Sequence, residues 1–380
     1  MSKENLFILK RNIHKKGGLE KYTLRSARAL SEKGYKVTIL STNRSSSISF
    51  PNIELKYFKT SKWPGYRRMK EFDNFCQSYI EKQKPKIILG MDRNRHQTHI
   101  RAGNGVHICY LQSRHLTDNL LKVWSFAYNP LHRYILDLEK RSFENPRLKK
   151  IITNSHMIKD QILRYFTTPE KKVQVIHNGV EWHEMQKSFD SWQSIRSEIA
   201  KKYNLDEKRR FLLFVGNGYR RKGLRQLLYG LSLTKEKDFY LFVLGKEKNT
   251  SYYCNLAKKL RLDKKVLFLG AEKDIKSFYQ ACDILLLPTF YDPFANVTLE
   301  ALAMGLYTVT SHFNGAKEIL SDKSGMIFED LLSFDAMAAT IEKAMHHPKT
   351  NLSAEKIRNS VSHLDFSHQM KKLIDCICEN

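Results

Sequence analysis

At 380 residues the chain has room for two domains of ordinary size, and a hydrophobic content of 42% with 11% aromatics excludes a chain disordered throughout. No apolar run approaches the roughly 18–20 residues needed to cross a bilayer. The formal net charge of +26 favours polyanionic partners: nucleic acid, an anionic membrane, or a phosphorylated or carboxylated substrate.

Only four apolar residues, Leu6 to Leu9, precede Lys10, too few for a signal-peptide core. The cysteines at 76, 109, 254, 282, 376 and 378 form no C-x-x-C pair and no metal-ligand spacing. A cytoplasmic chain with reduced thiols is expected.

Leu6-Phe7-Ile8-Leu9 reads as a strand, Gly17-Gly18 as a turn, and about 19–33 as a helix. Strands follow at 37–40, 53–58, 87–89, 151–152 and 173–176, with helical patterns at 68–82, 131–143 and 155–166. Strands alternating with helices predict parallel, doubly wound sheets. The polar stretch 183–194 lacks strand alternation and reads as the crossing between domains. A second run of strands begins with Phe211-Leu212-Leu213-Phe214-Val215 and continues at 240–244, 266–269, 284–287 and 307–310. Two runs of βα units predict two Rossmann-like α/β domains with a cleft between them.

The strand at 284–287 leads into Tyr291-Asp292-Pro293-Phe294-Ala295-Asn296 and then a helix closed by Gly305. Asp292 in the loop and Glu300 on the helix stand at the carboxyl edge of a sheet, where open α/β folds bind ligands. Carboxylates so spaced can accept hydrogen bonds from the hydroxyls of a sugar and of a ribose. At the end of the strand 211–215, Gly216-Asn217-Gly218-Tyr219-Arg220-Arg221-Lys222-Gly223 joins strand to helix. Its glycines admit close backbone approach, and Arg221 and Lys222 supply positive charge where a diphosphate would sit. Neither Glu300 nor Lys222 is expected to occupy a core position. No two aspartates stand two apart, so the chain has no D-x-D pair of the kind metal-dependent sugar transferases use, and no metal is expected.

These segments resemble the family-four retaining glycosyltransferases of GT-B fold. Asp292 to Glu300 is similar to their E-x7-E signature with Asp in the first position, and Arg221-Lys222-Gly223 to their phosphate clamp. Gly17-Gly18-Leu19-Glu20 resembles their G-G-x-E loop, which approaches donor phosphate and acceptor. Arg101-Ala102-Gly103-Asn104-Gly105-Val106-His107 resembles a segment of bacterial members that build lipopolysaccharide core.

The resemblance implies roles. Arg221 and Lys222 would stabilise the departing diphosphate. Asp292, the backbone of Phe294-Ala295-Asn296 and His107 would hold the sugar, and Glu300 the ribose. Gly17, Gly18 and Gly216 would line the donor site. Residues 1–182 would form the acceptor-binding domain, joined by a last helix (about 363–380) that crosses back. Residues 183–362 would bind the nucleotide sugar. The implied reaction is metal-independent hexose transfer with retention, from a nucleotide diphosphate sugar such as a UDP-sugar to an anionic glycolipid acceptor. It needs no cofactor besides the donor. An epimerase or phosphorylase of the same fold, or a basic nucleic-acid-binding protein, would use parts of the same surface, although no zinc-finger spacing or RNP1 pattern is present and no nucleic-acid partner is expected.

The basic clusters at Lys10 to Lys16 and Lys62 to Lys70, with Trp63 and Tyr66 among them, are expected to dock on the inner face of the plasma membrane.

Overall fold

A computed structural model describes residues 4–13, 18–43, 50–61 and 63–378. They form two compact units: the described residues up to His177 together with those from Gln369 on, and Asn178–His368.

In the first unit the strands are β1 (Asn5–Leu9), β2 (Lys36–Ser41), β3 (Ile53–Tyr57), β4 (Ile87–Gly90), β5 (His99–Arg101), β6 (Lys150–Thr153) and β7 (Val173–Val175). They form one all-parallel sheet in the order β3-β2-β1-β4-β5-β6-β7. Its helices are α1 (Gly18–Glu32), α2 (Gly65–Gln83), α3 (His107–Arg114), α4 (Leu120–Tyr128), α5 (Pro130–Phe143) and α6 (His156–Tyr165). The apolar runs of β1 and β2 are buried, as strands covered on both faces must be. Ser155 caps α6 by accepting from the Ile158 amide at 3.3 Å.

The second unit opens with α7 (Gln186–Asp190) and α8 (Trp192–Tyr203) and continues with β8 (Arg210–Val215), α9 (Tyr219–Lys222), α10 (Leu224–Leu233), β9 (Phe239–Leu244), α11 (Thr250–Lys259), β10 (Val266–Gly270), α12 (Ile275–Ala281), β11 (Ile284–Leu287), α13 (Asn296–Ala303), β12 (Tyr307–Ser311), β13 (Gly325–Phe328), α14 (Phe334–Met345) and α15 (Asn351–Ser360). Its parallel order is β10-β9-β8-β11-β12-β13. The last helix, α16 (Phe366–Cys378), carries the chain into the first unit from Gln369. The chain is thus an α/β protein of two Rossmann-like parallel-sheet domains.

Two strands escaped the sequence pattern. β5 is three residues, His-Ile-Arg, of which one is aliphatic, and β13 begins on a glycine. The stretch 183–194 is also corrected: it is no bare crossing but the start of two helices. Met185, Phe189 and Trp192 turn inward there while the intervening polar residues face out. Among the described residues no helix is long and apolar enough to cross a membrane.

Strand order reverses once in each sheet, between β1 and β4 and between β8 and β11. The crevice outside the carboxyl ends of such strands is where open α/β sheets take their ligands.

Candidate functional site

Gly216 leaves β8 at that reversal in the second unit. A Cβ on Gly216 would lie 2.9 Å from Lys222 Cγ, so the lysine stem lies directly on the glycine backbone. Gly218 (φ 72°) and Gly223 (φ 79°) enter and leave the single turn α9 in left-handed conformations that glycine adopts without strain. A Cβ at Gly223 would meet the Pro288 carbonyl oxygen at 2.0 Å, which pins α9 against the end of β11. Phe290 N–H donates to the Arg221 carbonyl at 2.8 Å, closing the contact.

This packing brings three charges together. Lys222 Nζ lies 2.7 Å and Arg221 Nη1 3.2 Å from Asp292 Oδ2, and Arg221 Nη1 also donates to the Tyr291 carbonyl at 2.6 Å. Burial pushes the Asp292 carboxyl up, but Lys222 and Arg221 outweigh it and hold it below the usual carboxylate range. Burial lowers the Lys222 ammonium against the pull of Asp292, and Arg221 adds to the lowering. Two cations against one carboxylate leave surplus positive charge at the sheet edge, suited to an anion. The expectation that Lys222 avoids the core is corrected: it is 6% exposed, because the Gly216 backbone and the Asp292 loop enclose it.

Asn314, fully buried, organises the Asp292 loop. Its Oδ1 accepts from the Ala295 and Ala316 amides, both at 3.0 Å, and its Nδ2 donates to Thr298 Oγ1 at 3.0 Å and Thr310 Oγ1 at 2.8 Å. Asp292 itself pairs with this strand end: its N–H donates to Phe313 O and its carbonyl accepts from Gly315 N–H, each at 2.9 Å. Phe294 N–H donates to Asp292 Oδ1 at 3.2 Å. The Phe294 and Ala295 amides are thus both bonded inside the loop, which satisfies two buried N–H groups. Asn296 begins α13 and its Oδ1 accepts from Asn178 Nδ2 at 2.7 Å.

Glu300, one turn further, accepts from the Tyr279 hydroxyl at 2.7 Å. Tyr279 is buried on α12, and burial followed by the adjacent carboxylate pushes its phenol well above the ordinary range, so it stays a donor. The Tyr279 carbonyl in turn accepts from Lys349 Nζ at 3.2 Å. The carboxyl end of α13 is closed by Gly305 (φ 74°) and by Arg358, whose Nη1 donates to the Ala303 carbonyl at 2.5 Å. Sequence reasoning found Asp292 and Glu300 but missed Asn314, Tyr279 and Arg358. The Asn314-Gly315 dipeptide was a turn signal that could have flagged the first, whereas nothing local marks the other two.

His107 belongs to the first unit and starts α3. Gly105 (φ 69°) turns the chain into it, and Arg101 anchors the preceding segment by donating to the Thr153 carbonyl at 2.8 Å. The His107 amide donates to Glu139 Oε2 at 2.9 Å, and Glu139 Oε1 accepts from Arg93 Nε at 2.5 Å. His107 Nε2 is 3.0 Å from His132 Nδ1. Burial, then Arg93 and His132, lower the His107 pKa to about 3, so its imidazole is neutral across the physiological range. Glu139 and His132 are further residues the sequence did not single out.

Gly17 lies outside the described residues, and Gly18 is the first residue of α1. Glu20 Oε1 is 3.8 Å from Lys10 Nζ, which is held at 3.1 Å by Asp92 Oδ1. Lys10 is thus 4% exposed and removed from the expected membrane patch, because it directly follows a buried strand and needs its acid partners. His14, Lys15, Lys16 and Lys62 lie outside the described residues, while Arg67 and Lys70 are exposed.

Two family models match the chain in succession. The family model "Glycosyltransferase Family 4" matches residues 16–183 and "Glycosyl transferases group 1" matches residues 195–360. The uncharacterized glycosyltransferase MJ1607 of Methanocaldococcus jannaschii is 28% identical over 278 residues, covering 70% of each chain. The lipopolysaccharide glucosyltransferase WaaG of Escherichia coli is 22% identical over 369 residues, covering 95% of each. A crystal structure of WaaG, a glycosyltransferase involved in lipopolysaccharide biosynthesis, superposes with a TM-score of 0.81 at 19% identity, over 99% of this chain and 100% of that one. HepE of Anabaena, in complex with UDP-glucose, superposes with a TM-score of 0.68 at 14% identity over 98% of each chain.

Proposed function

This chain belongs to the glycosyltransferases of GT-B fold, and from that premise we propose that it moves a hexose, with retention and without a metal, from a UDP-sugar to an anionic membrane-associated glycolipid such as lipopolysaccharide core. The observation that carries the reading is the Arg221–Lys222–Asp292 cluster at the strand reversal of the second unit, with Glu300 on the next helix. Arg221 and Lys222 neutralise the charge that develops on the departing diphosphate. Asp292 keeps both cations in place, and Glu300, oriented by Tyr279, takes the ribose hydroxyls. His107, neutral and fixed by His132, accepts a hydrogen bond from a sugar hydroxyl. Transfer with retention passes through an oxocarbenium-like transition state. We assign the acceptor's proton to the donor phosphate.

WaaG supports a glycolipid acceptor, and the HepE complex supports a UDP-sugar donor. The exposed Arg67 and Lys70 and the net charge of +26 support docking on an anionic inner leaflet. Incubation with radiolabelled UDP-hexoses, with and without truncated lipopolysaccharide and with EDTA present, tests the proposal. Label should enter the lipid with UDP released in step. Label entering no acceptor from any nucleotide sugar, or transfer abolished by EDTA, contradicts it.

A further inference from the structure

Two arginines at the strand reversal of the first unit hold buried nitrogens that nothing bonds: Nε of Arg11 and Nε of Arg68. Arg11 lies just past the carboxyl end of β1 and Arg93 just past that of β4, with Arg68 in the first turn of α2. Buried polar atoms of folded proteins are almost always hydrogen-bonded, so an unbonded charged N–H marks a place for a partner.

The surrounding structure fixes this arrangement. The Arg11 N–H donates to Asp92 Oδ2 at 2.9 Å, and the Arg11 carbonyl accepts from the Thr42 N–H at 2.8 Å and the Thr42 hydroxyl at 2.6 Å. Phe72, one turn past Arg68, packs with Leu9 of β1 and Ile88 of β4. Met69 and Phe72 of α2 thereby line one small cavity with Arg11, Asp92 and Arg93.

The acids of this region are already engaged. Asp92 holds Lys10 and the Arg11 N–H, and Glu139 holds Arg93 and the His107 amide. Burial lowers the Arg11 pKa, and Arg68 and Arg93 add to the lowering against the pull of Asp92. The first turn of α2 carries no acid, although a helix N-terminus is itself positive. Cations desolvated and crowded in this way are unfavourable until an anion sits among them.

Charge and shape select that anion. A carboxylate carries one charge, which one guanidinium matches. A phosphate monoester carries about −1.5 to −2 charges at neutral pH and offers three oxygens to several N–H forks. Through Glu139, the cluster stands one carboxylate away from His107, the residue assigned to a sugar hydroxyl.

We propose that Arg11, Arg68 and Arg93 form a subsite for a phosphate monoester, and that this phosphate is carried on the head-group sugar of the acceptor. The second clause rests on the acceptor reading above; the first does not.

The test is thermal shift in excess UDP, which keeps the Arg221–Lys222 cluster occupied while inorganic phosphate is added. Phosphate should stabilise wild type beyond chloride of equal ionic strength. Arg28→Gln, which removes an exposed charge of α1, should respond as wild type does. Arg68→Gln should lose the response yet melt no lower than wild type in phosphate-free buffer, since it relieves a crowded charge. Arg68→Lys, keeping the charge without the fork, should fall between. A wild type unmoved by phosphate, an equal response in Arg68→Gln, or an Arg68→Gln that melts well below wild type overturns the subsite. Lipid-free core oligosaccharide from truncated lipopolysaccharide, intact and dephosphorylated, then identifies the source. The intact form should bind Arg68→Gln about tenfold or more weakly than wild type, the scale of one lost charge-assisted hydrogen bond, and the dephosphorylated form should bind both alike. Equal weakening of both forms, or of neither, overturns the acceptor assignment and makes this a site for free phosphate. A wild type that responds to phosphate but not to UDP contradicts the donor reading and leaves the subsite standing.

Discussion

Lys222 and Asp292 face each other across the strand reversal of the second sheet at 2.7 Å, and Lys10 and Asp92 do the same across the reversal of the first at 3.1 Å. In both units the lysine follows the strand just before the reversal and the acid follows the strand just after it. In each unit, then, the crevice meant for a ligand carries a lysine already desolvated and already matched by an acid. Removing one member of such a pair leaves the other buried without its partner, which commonly costs about 3–5 kcal/mol.

Asp292→Asn is therefore predicted to destabilise the second unit more than Lys222→Met does, since the latter leaves Arg221 to face the acid and conserves the stem that covers Gly216. Chemical denaturation of both variants checks the order. Turnover should respond the other way. Lys222→Met should lose at least about a hundredfold, the usual scale for removing one preorganised charge contact. Asp292→Glu, which restores the residue usual in the resembled signature, should keep part of the activity.

The pH dependence of this pair has a definite sign. The Asp292 carboxyl titrates below its ordinary range, because Lys222 and Arg221 outweigh the effect of burial. An acid with a depressed folded-state pKa contributes stability above its unfolded pKa and loses it as pH falls through the folded value. The stability gap between wild type and Asp292→Asn should be full from neutrality down to about pH 5 and close below about pH 4. A gap independent of pH would show that the carboxylate charge is not what holds the cluster.

The alternation of apolar runs with helical segments made the two Rossmann-like units readable, since buried parallel strands are nearly continuous apolar sequence. His99-Ile100-Arg101 and Gly325 to Phe328 were not readable as strands, because their pairing comes from neighbouring strands and not from their own pattern. At the site, Asp292, Arg221 and Lys222 stood out by charge and position. That they bind each other did not, because 70 residues separate Lys222 from Asp292 and only the strand order joins them. Tyr279 and Arg358 act through hydrogen bonds made only in the fold, which leave no local mark on a sequence, whereas Asn314 is marked by its Asn-Gly turn alone.

Tyr279→Phe tests the orientation of Glu300. Losing a hydrogen bond to a charged group is worth about 1.5–3 kcal/mol. The variant should raise KM for the UDP-sugar about tenfold while changing kcat little, if Glu300 binds the nucleotide equally in ground and transition states. A fall in kcat at unchanged KM would instead place Glu300 at the reacting centre.

Gly223→Ala is predicted to be among the most damaging single methyl additions in the chain. Its left-handed backbone and the Pro288 oxygen 2.0 Å from the added carbon leave no relief without moving α9 away from β11. Expression and melting temperature should both fall, and any folded fraction should no longer respond to UDP. Gly34, equally left-handed with open space around it, is the control: Gly34→Ala should cost far less.

The claim that the crevice between β8 and β11 receives a nucleoside diphosphate is tested most directly by thermal shift with UDP. Ligand at a hundredfold its Kd should add about 2.7 kcal/mol to the stability of the folded state. Wild type is predicted to be stabilised by UDP, Glu300→Ala to lose the response at the same concentration, and Lys222→Met to respond to uridine as well as wild type does but far less to UDP. A wild type unmoved by UDP, ADP and GDP, or variants that respond as it does, would contradict the site.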